Sequence, residues 1–590
     1  MSALAQAPSS NVAALLVARG FRRAWVTDFE YQQFDGERPT PHCMVRRCVL
    51  TGITEKLWLE PGMPSPFSGA KDELMIAYAA DAELGCFSVL GWAAPAFVLD
   101  LFPEFLRMRN GWPRVRDHDG LIDAMAFFGL PSLGADEKDR LRRLAMRGGP
   151  YTEAERRALL EYCLTDVIAT EMLLKRLLFA AGLEAQAIFE QALIRGGYLV
   201  AVAAMRAYGV PINCALLKRL VKHWGQLKLA LIERLGAPYG VYENGHFRAH
   251  LFTDLLGRLD LLEIWPGTEN SNALSLSEDT FSDMAQIYPV LSDLHQLRQT
   301  LGQLRLMDLA IGPDGRNRVY LAPYRTKTSR NDPSNSQFVY GGAKWIRNLI
   351  LAPRGYGLAY CDWTAQEVGI AAALSGDGAL WEAAASGDPY TAFGKAIDCL
   401  PGDATKDTHP EERALFKIIV LGVLYGMTAF GLARRANIAI AEAEDLLVRL
   451  RETYPRYWDW AKRNSDAALL GYPLTTRLGW TLHYAEDSLA DASERTAVNF
   501  PMQANGAEIM RQAAIRGVRA GIVLCAPIHD AFLLEARADE LADASRTFRR
   551  IMADSAEAVL GSGYRIEADS KPPSGRSPIT SRAALSSMRS

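Results

Sequence analysis

Two aspartates and one helical stripe are the residues best placed to do chemistry. "GYGLAYCDWTAQE" is an apolar strand ending in Asp362, with a helix beginning near Ala365. "IVLCAPIHDAFLLEA" sets His529 and Asp530 at a turn between two apolar strands. A carboxylate there is costly unless it meets a cation. Taken singly, each aspartate reads equally well as a helix cap or a turn residue. Brought together, they make an oxygen-ligand site of the kind Mg²⁺ prefers. In "RALFKIIVLGVLYG", residues 413, 417, 421 and 425 lie four apart, each step turning by about 400°, so they form one slowly drifting stripe. Arg413 and Lys417 repel across one turn unless an anion lies over them. A triphosphate satisfies that stripe, with Tyr425 in reach of a base. Two cations snorkelling from a core helix is the other reading.

A second group of acids lies in the N-terminal third. "WVTDFEYQQF" puts Asp28 and Glu30 on one face of a strand. Such neighbours repel unless a metal lies between them; an exposed edge strand is the bland alternative. "YTEAERRALLEYCLTDVIATEMLLKRLL" reads as a helix opened by a Thr152/Glu155 capping box, with Tyr162 and Asp166 on one face. Between them, "AYAADAELGCFSVLGWAAPAFVLDLFPEF" offers Asp81, Glu83 and Asp100.

The elements that must position these residues span several domains. At 590 residues the chain exceeds a single core, and about three to five domains is the prior. Hydrophobic content of 49% and charged content of 23% fit a soluble globular protein. The net charge of -3 argues neither for nor against a polyanionic partner, since binding grooves are local. No apolar run approaches the roughly 20 residues that span a bilayer, and the N-terminus lacks the basic start of a signal peptide; a cytoplasmic location is expected. Cys43 and Cys48 beside His42 lack the second ligand pair of a zinc site, so reduced thiols are expected. Residues 22–60 read as strand-rich, and 72–185 pass from a strand to helical periodicity. Residues 187–312 are mostly helical, with Leu291, Leu294, Leu297, Leu301, Leu304 and Leu306 keeping largely to one face. Strands and long helices alternate from 313 to 568. The Ser-, Pro- and Arg-rich end, residues 569–590, reads as a disordered basic tail.

The order Asp362, Glu367, Arg413, Lys417, Tyr425, Gly426, His529, Asp530 resembles the polymerase module of family A DNA polymerases, the bacterial DNA polymerase I type. "TKTSRNDPSNSQF" resembles the family's primer-side segment, and "RTAVNFPMQANGAEIM" its minor-groove segment. The resemblance covers residues 313–568. It implies that Asp362 and Asp530 hold two Mg²⁺ ions, with Mn²⁺ as a substitute, for phosphoryl transfer to a primer 3′-hydroxyl. It further implies that Arg413 and Lys417 bind the triphosphate, Lys417 also serving as a proton donor to the leaving group. Tyr425 would hold the template position, Glu367 would exclude a ribose 2′-hydroxyl, and Tyr390 would stand where the family often has a triphosphate-touching histidine. Arg330, Asn335, Gln337, Arg495, Asn499, Gln503 and His529 would contact DNA. Two positions depart from the pattern. Ala531 stands where the family usually has Glu, removing a third carboxylate. Leu421 stands where Phe or Tyr is usual, which implies altered discrimination against 3′-deoxy sugars.

The acids of the N-terminal third resemble the DEDDy class of 3′–5′ exonucleases, with Asp28, Glu30 and Asp166 as metal ligands and Tyr162 orienting the attacking water. Glu83 lies seventeen residues before Asp100, the family spacing, and so stands as an Asp-to-Glu departure; Asp100 is the alternative ligand. The implied fold is α/β and multidomain: a ribonuclease H-like exonuclease domain (1–186), a helical thumb (187–312), then palm and fingers (313–568) of a right-hand polymerase module. The implied function is template-directed DNA synthesis in replication or repair, with proofreading. Primer–template DNA and dNTPs would be its partners, with no membrane, and the chain would be a monomer. The lack of a 5′-nuclease domain suggests a phage-like origin. A single-subunit RNA polymerase shares the Arg/Lys/Tyr helix and both aspartates, but Glu367 and the exonuclease-like acids count against it. An inactive DNA-binding relic is disfavoured by intact Asp362, Arg413, Lys417 and Asp530.

Overall fold

The computed structural model describes residues 12–112, 119–131, 135–268, 271–277, 280–281, 284–285, 288–302, 308–341, 344–484 and 494–572. The chain packs as two units. One comprises Met1–Gly209, Tyr320–Pro333 and Ala352–Ser590; the other comprises Val210–Val319 and Ser334–Leu351.

The first unit begins with a five-stranded sheet of β1 (Arg23–Gln32), β2 (Thr40–Cys48), β3 (Thr54–Trp58), β4 (Glu73–Ala77) and β5 (Phe97–Asp100), in the order β3-β2-β1-β4-β5. β1 to β3 pair antiparallel, while β4 and β5 run parallel to β1. The parallel strands β4 and β5 are buried apart from a half-buried Phe97, and each carries a short apolar run, Leu74–Ala77 and Phe97–Leu99. Helices α1 (Asp81–Leu90), α2 (Leu101–Arg109), α3 (Ala135–Arg147) and α4 (Glu153–Ala180) surround the sheet. α4 packs across β1 and β2, burying Leu173 and Leu177 with Val26, Val45 and Ile76. The capping box forms as the sequence implies: Thr152 N donates to Glu155 Oε2 at 2.8 Å, and Glu155 N donates to Thr152 Oγ1 at 3.3 Å.

Helix α5 (Gln186–Tyr208) is long and apolar enough by composition to cross a membrane. In this fold it is a core helix, packed on β5 and α1. Gly196 permits that approach, since a Cβ there would lie 1.9 Å from the Val98 carbonyl oxygen. The helix therefore belongs with the first unit, not with a thumb starting at residue 187.

The second unit contains α6 (Cys214–Leu231), α7 (Ala249–Arg258) and α8 (Ser292–Gly302), around a core of Phe252, Trp265, Phe281, Leu291 and Leu294. Asn335 and Gln337 fall within this unit, whereas Arg330 belongs to the first. The Gln337 carbonyl accepts from Asn317 Nδ2 at 2.8 Å. Leu304 and Leu306 lie outside the described residues.

The rest of the first unit is built on a sheet ordered β7-β8-β6-β9: β6 (Tyr356–Trp363), then, after the helices, β7 (Val523–Ile528), β8 (Ala531–Arg537) and β9 (Ala568–Lys571). All three pairings are antiparallel. Between β6 and β7 come α9 (Gln366–Ser375), α10 (Pro389–Ala396), α11 (Pro410–Leu424) and α12 (Glu494–Arg519), and α13 (Leu541–Leu560) crosses the sheet between β8 and β9. Residues 569–571 complete β9 and so belong to this sheet; of the expected tail, 573–590 lie outside the described residues. The fold is α/β, as expected. His42 Nε2 hydrogen-bonds the Ala145 carbonyl at 3.1 Å, and all eight cysteines are free thiols.

Candidate active sites

The register of the second sheet creates the first site. Asp362 at the end of β6 pairs with Ala531, the residue after Asp530 in the two-residue turn between β7 and β8. Both chain segments leave their strands through positive φ at non-glycine residues, 51° at Ala365 and 51° at His529. Such conformations cost about 1–3 kcal/mol each and persist where the surroundings enforce them. Burial pushes the Asp362 carboxyl up to about 6, with Lys571 opposing that rise and Asp530 adding to it. Arg330 Nη2 donates to Asp530 Oδ1 at 3.1 Å. Asp362 and Asp530 present carboxylates 37% and 29% exposed, a reachable oxygen set that suits a hard divalent cation.

The stripe on α11 lies over α10. Arg413 Cζ and Lys417 Nζ are 5.3 and 5.8 Å from the centroid of the Tyr390 ring, within cation–π range. Arg413 Nε donates to Asp388 Oδ2 at 2.7 Å, so one of the two stripe cations carries a protein anion. Burial raises the Asp388 carboxyl, but the Arg413 bond and charge outweigh it and hold the group below its usual range. Tyr425 is the residue that ends α11, and its hydroxyl donates to Glu367 Oε1 and Oε2 at 2.6 and 2.8 Å. Burial pushes the Glu367 carboxyl up, and the Tyr425 bond works against that. Leu421 is half-buried. Arg495, Asn499 and Gln503 recur at steps of four on α12, whose first turn meets Gly426: a Cβ on Gly426 would lie 3.0 Å from Arg495 Cα. Asn499 Oδ1 is buried with no partner among the described residues. His529 is exposed at the turn.

Sequence reading missed Asp388 and the neighbours that β9 supplies. Lys571 Nζ is 3.9 Å from Asp362 Oδ2, and Asp569 pairs in register with Asp362. The alternation of buried Ile566 and Ala568 with exposed Glu567 and Asp569 is the strand signal that was available.

The second site lies on β1 and α4. Ligand oxygens of Asp28, Glu30 and Asp166 lie within 4.8 Å of one another. Burial pushes the Asp28 carboxyl up to about 8, Asp166 adding to it; burial likewise raises Glu30, with Asp28 adding. Glu83 on α1 is 4% exposed, its Oε2 has no partner among the described residues, and burial together with the charges of Asp28 and Glu30 raises it. Three crowded carboxylates, one with an orphaned oxygen (Asp28 Oδ2), fit a divalent cation, and Glu83, outside that trio but within reach of its charges, adds a further orphaned oxygen (Oε2). Burial also raises the Tyr162 hydroxyl, with Asp166, Glu30 and Asp28 adding to it.

The other two acids have structural partners. Asp100 caps α2, its carboxylate accepting from the backbone N–H groups of Ala79, Ala80 and Phe102 at 2.8 to 2.9 Å. Both of its oxygens are thus engaged by backbone donors. Asp81 pairs with Arg206 at 2.5 Å. Lys138, on α3, was not anticipated, and donates to both oxygens of Asp166.

The chain is similar to known proteins. The family model of DNA polymerase family A matches residues 335–569. DNA polymerase I of Chloroflexus aurantiacus is 26% identical over 385 residues, 59% of this chain and 39% of that protein. DNA polymerase I of Pseudomonas aeruginosa is 30% identical over 263 residues, 40% of this chain and 28% of that protein. The thermostable DNA polymerase I of Thermus aquaticus is 26% identical over 377 residues, 60% and 44% respectively. The chain thus spans under half the length of these relatives. Among solved structures, the POL domain of Pol1 from M. smegmatis, in complex with DNA primer-template and dNTP, matches with a TM-score of 0.70 at 17% identity, covering 96% of this chain and 99% of that one. The chain therefore carries a family A DNA polymerase domain, over residues 335–569.

Proposed function

We propose that this protein is a template-directed DNA polymerase that extends a primer 3′ end with deoxynucleotides, in replication or repair, and that its N-terminal site is a 3′–5′ exonuclease. The carrying observation is that one sheet register brings Asp362 and Asp530 together, inside the family A domain. The M. smegmatis Pol1 complex with DNA primer-template and dNTP supports the choice of partners. Divalent cations held by Asp362 and Asp530 would supply charge neutralisation at the reacting phosphate. Arg413 and Lys417 would hold the triphosphate tail. Glu367, fixed by Tyr425, would line the sugar side, and Arg330, Arg495, Asn499 and Gln503 would hold the duplex end. For the exonuclease, the supporting observation is the Asp28, Glu30 and Asp166 cluster beside Tyr162.

One end-labelled primer–template tests both activities. Asp530→Asn is expected to lower extension by at least about 10³-fold while leaving degradation of the labelled 3′ end intact. Asp28→Ala is expected to abolish degradation and spare extension. Extension by the Asp530→Asn protein at the wild-type rate overturns the polymerase assignment, and degradation by the Asp28→Ala protein at that rate overturns the exonuclease assignment.

A further inference from the structure

The N-terminal carboxylate cluster has a cation of its own. Lys138 Nζ donates to Asp166 Oδ1 and Oδ2 at 3.1 and 2.9 Å, and it stands 5.9 Å from the centroid of the Tyr162 ring. Both side chains are largely removed from water, at 21% for Lys138 and 15% for Asp166. Asp28 and Glu30 contribute oxygens within 4.8 Å of Asp166, and Glu83 is buried beside them with one oxygen unpartnered among the described residues. Carboxylates this close need a counter-charge, because Coulomb repulsion is poorly screened away from water. An ammonium supplies one charge and three donors. A divalent ion supplies two charges but needs the oxygens of Asp166 that Lys138 holds.

We propose that Lys138 is a built-in competitor of the metal. Its ammonium offsets part of the cluster's negative charge when no divalent ion is bound, and it has to leave Asp166 before an ion can use that carboxylate. This rests on reading the cluster as a metal site. Lys138 is thereby a positioning residue that sets the metal affinity of the site low, independently of the polymerase site. Its placement favours that role. It comes from α3, a separate helix from the β1 and α4 residues whose charge it partly offsets, so it can withdraw without moving the carboxylates.

The test is direct Mn²⁺ binding to the full chain, followed by loss of the free-ion electron paramagnetic resonance signal. It is run in an Asp362→Asn/Asp530→Asn background that removes the polymerase site's ligands. Binding that disappears with Asp28→Asn is assigned to the N-terminal cluster. Lys138→Met and Lys138→Gln are expected to tighten that binding by about tenfold or more, and Lys138→Arg is expected to leave it weak. Without metal, the Lys138→Met and Lys138→Gln proteins melt lower than the parent, and Mn²⁺ restores them beyond it. The glutamine variant keeps a donor to Asp166 and guards against misfolding of the methionine one. Asp28-dependent binding of equal affinity in parent and variants overturns the proposal while the metal-site reading stands. No Asp28-dependent binding in any of them overturns both.

Discussion

At the scale of single residues, the polar groups of the C-terminal site are paired within the protein: Arg330 sits on Asp530 and Arg413 on Asp388 as ion pairs, and Tyr425 hydrogen-bonds Glu367. The last contact has a clear consequence. The Tyr425 hydroxyl is the donor that fixes the half-buried Glu367 carboxyl in orientation and opposes the rise that burial causes. Removing it leaves a half-buried carboxyl short of a hydrogen bond, a loss of about 1.5 kcal/mol, or roughly tenfold. Tyr425→Phe is therefore expected to lower discrimination against ribonucleotides by roughly that factor, with a smaller effect on deoxynucleotide turnover. Single-nucleotide insertion of paired dNTP and rNTP substrates measures it. Unchanged discrimination would show that Glu367 holds its place without the tyrosine.

At the scale of elements, α10 and α11 form one device, because Asp388 before α10 holds Arg413 on α11 while Tyr390 underlies both cations. On the proposed reading, a triphosphate has to take Arg413 from Asp388. The pair is 28% and 22% exposed, so partial screening limits its worth to about 1 kcal/mol. Asp388→Asn keeps an oxygen for Thr391 and loses the charge, and is expected to tighten nucleotide binding about fivefold in a pre-steady-state titration. Weaker binding would instead make Asp388 a guide that aims Arg413. Much of this was legible in the chain. The periodicity of residues 413–426 gives α11, which runs Pro410–Leu424 with Tyr425 and a left-handed Gly426 ending it. The apolar runs give β6, β7 and β8, because their strand signals are local. What failed to show is tertiary. Asp388 and Arg413 are 25 residues apart, and Lys138 and Asp166 are 28 apart, so no helical or strand period links them. β9 merged into the polar end because it is only four residues long.

At the scale of the molecule, α5 carries the largest correction, and the reason is physical: an apolar helix announces that it is buried, not what it is buried against. It packs on β5 and α1 and also on α12 and β7, so one helix is shared by both sheets of the first unit. Tyr208 at its end donates to Glu535 Oε1 on β8 at 2.8 Å. Its middle carries a buried charge network. Arg195 Nη2 donates to Glu104 Oε2 at 2.9 Å, Arg107 Nε donates to the same oxygen at 3.1 Å, and Arg195 Nη1 donates to the Leu478 carbonyl at 3.0 Å. Burial pushes Glu104 up, but the two arginines outweigh it and hold the carboxyl below its usual range. A depressed carboxyl stabilises the fold above its unfolded value near 4.5, and that contribution is lost as pH falls through the folded value. Glu104→Gln strands two guanidinium groups in the interior, a loss of about 3–5 kcal/mol. The variant is expected to melt several degrees lower at pH 7, with the difference from wild type starting to shrink below about pH 4.5, where the unfolded carboxyl takes up its proton, and lost as pH falls through the lower folded value. Because α5 serves both sheets, primer extension and 3′-end degradation should fall together with temperature. Thermal inactivation of the two activities at separate temperatures would show that the N-terminal sheet unfolds on its own, and that the network couples nothing beyond it.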